Sequence, residues 1–464
     1  MEREGDPGSA ASGSELRPLL FVAMPFGTKR DPTGRISIDF DGVYEHAIKP
    51  AALAADVEVI RADEERGGGI IHRPMYERLL LAEIVVADLT FANANVFYEL
   101  GIRHAARPRS TILIYAAIGT LPFDVAPIRS LAYHVTKKGR LKAEDADSLC
   151  EQLTSRLRDA KVSEDRDSPL FELLPGYPGV TLPHESTESF RDRALAASRL
   201  TEDIREAARA GHRGALRAIE ERVGNFASAA PELPVDLLLA YRDVSAWEDM
   251  IRCVEAMPDR TRQLVTVREQ HALALNRRNG PGDRAKAIAE LQSIIAQYGP
   301  SPETHGLLGR CHKDAWDQAT DPDVRADALD RAIDAYGAGF DADPRDYYPG
   351  INLLTLLLNR GTADDLARIE TLVAVVEFAV ARRGGLSSDD PWDRATVLEL
   401  AAIADDEPTG RRAKGSLVAA GLAPWMLQTS ARNLRLLLEP MQRAGRDTAW
   451  VAEVADALDP LVAR

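Results

Sequence analysis

The sequence has few cysteines and no long apolar run. Its three cysteines, Cys150, Cys253 and Cys311, are scattered through 464 residues without a CxxC pair. This spacing argues against a disulfide framework and a structural zinc site, and it is typical of a reducing compartment. No stretch approaches the roughly 18 apolar residues that a membrane helix needs. We therefore predict a cytoplasmic protein with no membrane partner.

The sequence also lacks an excess of positive charge. Its formal net charge is -15, and the basic run at residues 136–142, TKKGRLK, is short. A chain of this sign repels phosphate backbones, so we expect no nucleic-acid partner. His72, His104 and His134 stand alone, without HxxxH or HExxH spacing, so we expect no metal site.

What the chain does contain divides it into unlike parts. Residues 1–17 are polar and rich in Gly and Ser, which predicts a disordered tail. Residues 18–160 alternate apolar runs with helical patterns, which predicts a flavodoxin-like α/β domain with a parallel sheet. Prolines and glycines in residues 161–189 favour a linker, in which PLFELL packs on a neighbour. Residues 190–464 show helical periodicity only. The predicted strands are LLFVAMPF, VEVIRADE, IVVADLT, STILIY and LAYHV.

A weak repeat marks the predicted helical domain. Leu308 and Gly309 in one predicted helix, Tyr336 and Gly339 in the next, and Pro344 after it have the placement of a tetratricopeptide unit. A similar pair of helical segments precedes them. One such pair cannot bury its apolar face alone, so the units must stack. An irregular helical bundle with one or two such units is the alternative.

Candidate site residues lie at the carboxyl ends of the predicted strands, where open parallel sheets bind ligands. Residues 85–105, VVADLTFANANVFYELGIRHA, form a strand ending at Asp88 and a helix with Glu99 in its opening turn. We expect both carboxylates to face one crevice. The helix N-terminus favours ionised Glu99, which suits a nucleophile or an electrostatic partner of an oxocarbenium-like centre. The alternative is structural: Glu99 offsets the helix dipole and Asp88 hydrogen-bonds the loop.

Neighbouring side chains add further groups to this candidate site. Asn93 and Asn95 supply amide donors and acceptors, and either can cap the helix. Tyr98 supplies an aromatic face and a hydroxyl. Arg73 follows the glycine-rich loop RGGG and is a cation for a phosphate or carboxylate. A three-glycine loop without GxGxxG spacing also serves as a lid or turn.

Residues 87–105, ADLTFANANVFYELGIRHA, resemble the aDlTxxNPNVxYELGxxHA stretch of nucleoside 2-deoxyribosyltransferase-like and TIR-like domains. In those families the Glu of ELG attacks or stabilises C1′ of a ribose or deoxyribose that carries a base or nicotinamide. The resemblance implies that Glu99 is the catalytic carboxylate and that Asp88 holds the sugar. Ala94 departs from the pattern, which usually has Pro there, and this change removes no reactive group.

The same resemblance implies N-glycosidic bond cleavage in a nucleotide or nucleoside, with NAD as the first guess. NAD would be consumed as substrate, so no cofactor is expected. The residues that the resemblance and the loop positions assign to substrate binding are Met24, Phe26, Gly27, Asn93, Asn95, Tyr98 and Arg73.

A second resemblance spans roughly residues 19–361. The segments DSPLFELLPGYP and FDADPRDYYPGINLLTLLLNRG are similar to the amino-terminal regulatory region of the apoptosis signal-regulating kinases. They also resemble kinase-free bacterial proteins of the TRAFs-binding domain family. In that family a TIR-like domain precedes helical repeats that serve assembly and partner contact. The chain has no kinase glycine-rich loop with its Lys, no HRD and no DFG, so we expect that it is not a kinase.

Two hypotheses about function follow. In the first, the α/β domain is an NAD or nucleoside hydrolase or transferase that the repeats regulate, which by analogy suggests a stress or anti-phage effector. In the second, the chain is a signalling scaffold whose α/β domain binds a nucleotide or partner without turnover. Both predict a protein partner or self-association through the helical repeats.

Overall fold

The computed structural model describes residues 17–31, 36–61, 72–118, 121, 125, 128–136, 139–174, 176–179, 184–388, 390–420 and 424–459. The chain divides into two compact units. The first runs through Ala210 and includes Gly214–Asp236, and the second comprises Gly211–Arg213 and Leu237–Arg464. An α/β region is thus followed by a mostly helical region, as predicted.

The first unit is built on a parallel sheet. The strands of this unit are β1 (Leu19–Ala23), β2 (Thr28–Arg30), β3 (Ser37–Asp39), β4 (Glu58–Arg61), β5 (Ile84–Asp88), β6 (Thr111–Ala116) and β7 (Ser130–Tyr133). Five of them form one parallel sheet in the order β4-β1-β5-β6-β7, and these are the five predicted strands. The sequence did not predict the antiparallel pair β2 and β3, because both strands are short and polar.

Helices cover both faces of this sheet. They are α1 (Phe40–Val43), a π-helical segment (Tyr44–Ile48), α2 (Lys49–Ala54), α3 (His72–Leu81), a 3-10 turn (Thr90–Ala92), α4 (Ala94–Ala106), α5 (Ala143–Val162), α6 (Pro169–Leu173) and α7 (His184–Arg209). Leu20 and Val22 of β1 point into an apolar cluster with α1, α2 and α5. Leu19 and Phe21 point into the opposite cluster with α3 and α4. This alternation is what an extended strand imposes on successive side chains.

Described residues of the segment predicted as a linker, residues 161–189, pack against the sheet and α4. A carboxylate oxygen of Asp167 accepts a hydrogen bond of 2.8 Å from the backbone N–H of Thr111. The Tyr177 hydroxyl donates to the carbonyl of Ala105 at 2.9 Å. The buried ring of Phe171, within α6, shows that PLFELL packs on its neighbours, as predicted.

The first unit continues beyond residue 160, where the sequence places the end of the α/β domain. Ala194 of α7 belongs to the apolar cluster on the α3 and α4 face of the sheet, and Leu195 packs against that cluster. Arg78 of α3 forms an ion pair of 2.8 Å with Glu232, and both side chains are largely buried. The start of the predicted helical domain is therefore part of the first unit.

The remaining helices include a run of stacked pairs that begins at α12. They are α8 (Arg213–Val223), α9 (Glu232–Asp243), α10 (Trp247–Ala256), α11 (Asp259–Arg262), α12 (Val265–Arg278), α13 (Asp283–Tyr298), α14 (Pro302–Gln318), α15 (Pro322–Ala342), α16 (Tyr347–Arg360), α17 (Ala363–Arg382), α18 (Pro391–Ala404), α19 (Glu407–Ala419), α20 (Pro424–Arg443) and α21 (Ala449–Leu458), with a 3-10 turn at Gly385–Ser387. From α12 onward each even-numbered helix packs against the next odd-numbered one, and successive even-numbered helices also touch. Within the described residues, no helix has the length and apolar character to cross a membrane.

Candidate functional site

Asp88, at the carboxyl end of β5, lies in the protein interior. One of its carboxylate oxygens accepts hydrogen bonds from the backbone N–H and the hydroxyl of Thr90. The other accepts a hydrogen bond of 2.8 Å from the Tyr133 hydroxyl of β7. The Thr90 hydroxyl in turn accepts from the N–H of Ala116 at 2.9 Å. This network ties the loop after β5 to β6 and β7.

The burial of Asp88 does not fit the predicted contact with a sugar. Its side chain is 0% exposed, and both oxygens are occupied. Burial raises the pKa of Asp88 to about 6, although the hydrogen bonds from Thr90 and Tyr133 oppose the rise. Asp88 therefore acts in this structure as the structural alternative describes, by holding the loop. Tyr133, 45 residues later in the chain, was not among the predicted site residues.

Glu99 lies further into its helix than predicted. Asn93 is the N-cap of α4, and its side chain accepts hydrogen bonds from the N–H groups of Asn95 at 3.0 Å and Val96 at 3.3 Å. The helix begins at Ala94, which places Glu99 in the second turn instead of the first. The effect of a helix dipole on a charge falls off within the first turn.

The environment of Glu99 favours its neutral form. Its side chain is half-buried, and it has no hydrogen-bond or ion-pair partner among the described residues. Burial raises the pKa of Glu99 to about 7. Desolvation thus opposes the stabilisation of the ionised form that we expect from the helix N-terminus, which is more than one turn away. A carboxyl group near its pKa at neutral pH can both donate and accept a proton.

The other predicted residues at α4 differ in exposure and in their contacts. Asn93 caps the helix, and Asn95 is exposed beside it. Tyr98 is 60% exposed, and its hydroxyl lies 3.2 Å from that of Tyr76 on α3. Consecutive helical residues point about 100° apart, so Tyr98 and Glu99 face different directions.

The predicted ligand loop after β1 joins the start of the first helix. Met24 is buried in the apolar cluster that also holds α1 and α2, so its side chain faces the core. Gly27 has a φ of +62°, in the left-handed region that favours glycine. Its N–H donates to the Asp41 carboxylate at 3.1 Å, and its carbonyl accepts from the N–H of Phe40 at 3.0 Å. These contacts fix the loop against α1.

Phe26, the aromatic residue of this loop, packs on a cation. The guanidinium carbon of Arg61, at the end of β4, lies 4.5 Å from the Phe26 ring centroid and 4.5 Å from that of Tyr44. Arg61 also pairs with Asp41 at 2.9 Å. Burial raises the pKa of Tyr44 to about 12, and Arg61 partly opposes this rise. The two rings that could stack on a nucleotide base hold a guanidinium instead.

Two predicted elements lie wholly or partly outside the described residues. The glycine-rich loop falls in residues 62–71, which the description does not cover. Arg73 belongs to α3, and its side chain is likewise outside the described part. Their predicted contact with a phosphate or carboxylate remains a prediction.

Arg103 is a structural cation that the sequence did not reveal. It is fully buried in α4, and its guanidinium donates to the carbonyls of Leu79 at 2.9 Å, Ala82 at 2.8 Å and Glu83 at 3.1 Å. Burial lowers its pKa to about 9. It satisfies carbonyls at the end of α3 and before β5, so it positions the helix that carries Glu99.

The predicted site residues do not form one hydrogen-bonded constellation. Within the described ranges, no hydrogen bond links Asp88 to Glu99, and none links either carboxylate to Tyr98. The same part of the chain holds no group of three His, Cys, Asp or Glu side chains suited to a metal ion. What the geometry offers is a half-buried carboxyl group on α4 and an aromatic-lined arginine at the ends of β1 and β4.

Comparison with known proteins places most of the chain in one family model. The model described as "MAP3K TRAFs-binding domain" matches residues 96–453. The chain is 25% identical over 391 residues to mitogen-activated protein kinase kinase kinase 15 of Mus musculus, covering 77% of this chain and 28% of that protein. It is 28% identical over 354 residues to mitogen-activated protein kinase kinase kinase 6 of Homo sapiens, covering 70% and 26%. Identity to mitogen-activated protein kinase kinase kinase nsy-1 of Caenorhabditis elegans is 30% over 237 residues, covering 48% and 16%. The chain thus spans less than a third of each relative.

Proposed function

The chain belongs to the MAP3K TRAFs-binding domain family, and from this membership we propose that it is a non-catalytic regulatory module that binds a protein partner. The family resemblance predicted from the sequence is confirmed. The observation that carries the proposal is the extent of the match, residues 96–453, which runs from α4 to α21. All the stacked helical pairs lie within it.

The geometry of the α/β region supports the same proposal. Asp88 is fully buried and hydrogen-bonded, so it offers no oxygen to a substrate. Arg61 packs on the rings of Phe26, which the resemblance assigned to the substrate, and of Tyr44. Neither the family description nor the relatives' names mention a hydrolase or a defence role. A scaffold needs neither an open crevice nor a reactive carboxylate.

We also propose a specific fold for each region: a flavodoxin-like, TIR-like α/β domain and tetratricopeptide-like helical units. The strand order β4-β1-β5-β6-β7 places the second sheet strand beside the first and adds the others in sequence, which supports a flavodoxin-like, TIR-like domain. The stacked helical pairs support tetratricopeptide-like units. In one of them Gly309 of α14 lies against the Tyr336 ring of α15. The free cysteines support a location in the cytoplasm.

Partner binding can be tested with the full chain as bait. Proteins captured from cells of the source organism would be purified and titrated one by one against the chain by calorimetry. We expect at least one of them to bind saturably as a purified pair. An unrelated helical repeat protein of similar net charge serves as the control bait. If no captured protein binds in the purified pair, and the chain does not self-associate either, the proposal fails.

Glu99 is the specific observation that favours a second candidate function. Its carboxyl group is half-buried, has no partner among the described residues and has a pKa near 7. In this second proposal it takes the positive charge that develops at the anomeric carbon during N-glycosidic cleavage of NAD or a nucleoside. For this role, the protein would also have to bind the nucleotide near the surface of α4.

Turnover assays separate the two candidates. Release of nicotinamide or free base would be measured for the wild type, Glu99→Gln and Glu151→Gln, at low and high protein concentration. Glu151 is exposed on α5 and is the matched control. Turnover that is lost only in Glu99→Gln establishes the enzyme. Absence of turnover at every concentration, with wild-type folding, leaves the binding module as the function.

A further inference from the structure

Two arginines contact one carboxylate in the second unit, and a third reaches it through Asn276. Asp314 of α14 accepts hydrogen bonds from Arg310 at 3.1 and 3.2 Å and from the Asn276 amide at 2.8 Å. Arg432 of α20 lies 3.6 Å from the same carboxylate. Arg284 of α13 donates to the Asn276 carbonyl oxygen at 3.1 Å. We call the following residues the Asp314 cluster: Arg277, Arg284, Arg310, Arg432, Asp314 and Asp317.

The Asp314 cluster carries more positive than negative charge. Asp317 pairs with Arg432 at 2.6 Å and is the second carboxylate of the group. Arg284 finds neutral acceptors, the side-chain oxygens of Asn279 at 2.9 Å and Gln318 at 3.0 Å. The cluster therefore holds four guanidiniums and two carboxylates, and only Arg310 and Arg432 pair with those carboxylates. This surplus stands out in a chain whose formal net charge is -15.

Arg277 is the member of the cluster that no internal contact explains. Its side chain is exposed at the end of α12, and it has no hydrogen-bond or ion-pair partner among the described residues. Desolvation by the surrounding protein and repulsion from Arg310 lower its pKa, and Asp314 opposes this effect. The pair with Asp314 within α14 accounts for Arg310, and the pairs between α20 and α14 account for Arg432, but no such contact accounts for Arg277.

An exposed aromatic ring adjoins the cluster. Tyr348, at the start of α16, is 36% exposed and packs on the backbone of Gly306, where an added Cβ would lie 2.8 Å from the ring. Its other neighbour is Tyr336, edge-on at 6.2 Å between ring centroids. The charges of Arg310 and Arg277 act on its hydroxyl, and that of Glu303 acts in the opposite sense. A fixed tyrosine beside arginines is the combination that dominates binding energy at protein interfaces.

We propose that the Asp314 cluster and Tyr348 form a docking surface for a short acidic segment of a protein partner. This inference rests on the proposed function as a binding module. Arginine pairs with carboxylates in a bidentate fork, and Arg277 has its donors available for such a pair. The occupant is a short segment, since the negative charge of the whole chain repels a long polyanion such as a nucleic acid.

The test uses the full chain and a charge reversal at the residue without an internal partner. Arg277→Glu is compared with the wild type and with Arg412→Glu, an exposed arginine of α19 that donates a hydrogen bond to Thr409 and acts on the charge of Asp406. The probe is a short labelled peptide of alternating Glu and Gly, and its Gln analogue is the neutral control. We expect binding to the wild type and to Arg412→Glu, and a loss of about tenfold or more in Arg277→Glu. The affinity of the neutral Arg277→Gln variant for the Glu peptide should lie between those of the wild type and Arg277→Glu.

The outcomes separate this inference from the proposed function. Equal binding of the Glu and Gln peptides, or equal binding to Arg277→Glu and wild type, overturns the docking surface. A purified partner that binds Arg277→Glu as tightly as the wild type also overturns it, and the proposed function then stands. If no protein partner binds the wild type, the proposed function itself fails. Circular dichroism of each variant checks that the helices are unchanged.

Discussion

The Tyr133 hydroxyl donates a hydrogen bond of 2.8 Å to the carboxylate of Asp88, and both side chains are buried. Tyr133→Phe leaves that oxygen without its donor in the interior. We expect the free energy of unfolding to fall by about 1–3 kcal/mol, the cost of an unsatisfied buried polar group. Urea denaturation measures it. Tyr115→Phe is the control, since that half-buried hydroxyl has no hydrogen bond among the described residues. Equal losses in the two variants would contradict the prediction.

Glu99 makes stability depend on pH. Burial raises its pKa from 4.5 to about 7, so between these values the folded state binds more protons than the unfolded state. The contribution of Glu99 to stability is therefore highest below pH 4.5 and declines as the pH rises to 7. The Gln side chain of Glu99→Gln cannot ionise. The free energy of unfolding of this variant should therefore rise relative to that of the wild type between pH 5 and pH 8, by up to about 3 kcal/mol.

Urea denaturation of both proteins at the two pH values checks this prediction. Glu151→Gln, on the exposed face of α5, should follow the wild type at both. A difference between Glu99→Gln and wild type that stays constant with pH would show that Glu99 ionises freely in the folded protein.

Arg61 should stabilise the ends of β1 and β4. Its guanidinium contacts Phe26 and Tyr44 at 4.5 Å each and pairs with Asp41. Arg61→Ala removes both ring contacts and the ion pair, so we expect a loss of about 1–3 kcal/mol in the free energy of unfolding. The exposed Arg156→Ala on α5 is the control and should change stability by less than about 0.5 kcal/mol. Thermal or urea denaturation that shows equal effects would argue against the stacked arrangement.

Gly309 and Gly415 should respond in opposite directions to the same substitution. An added Cβ at Gly309 would lie 2.7 Å from the buried Tyr336 ring, whereas at Gly415 nothing lies within 4 Å. Gly415→Ala should stabilise the protein by about 1 kcal/mol through helix propensity. Gly309→Ala should cost about 1–3 kcal/mol, because the ring must shift within a packed core. Denaturation midpoints of the two variants on opposite sides of the wild type would confirm the contact.

Much of the architecture could be predicted from periodicity alone. The five sheet strands are continuous apolar runs, and buried parallel strands have that pattern. Gly309 and Tyr336, singled out by their spacing, are in contact. The antiparallel pair β2 and β3 was not predicted, because its residues show no alternation of apolar and polar side chains. The role of residues 161–189 depends on contacts such as Asp167 with Thr111, which local composition does not encode.

The candidate site was harder to predict, since its character depends on distant partners. Asp88 looked accessible at a strand end, but Tyr133, 45 residues later, buries and occupies it. Glu99 looked ionised near a helix start, but desolvation by the folded protein prevails. Arg61 packs on the ring of Phe26, which the resemblance assigned to the substrate. In each case the deciding neighbour is remote in sequence.

The extension of the first unit to Asp236 has a consequence for synthesis on the ribosome. The last sheet strand, β7, emerges well before α7, whose Ala194 belongs to one apolar face of the sheet. The ion pair between Arg78 and Glu232 comes later still. During translation the nascent sheet therefore keeps part of that face open to water and to chaperones until α7 has left the exit tunnel.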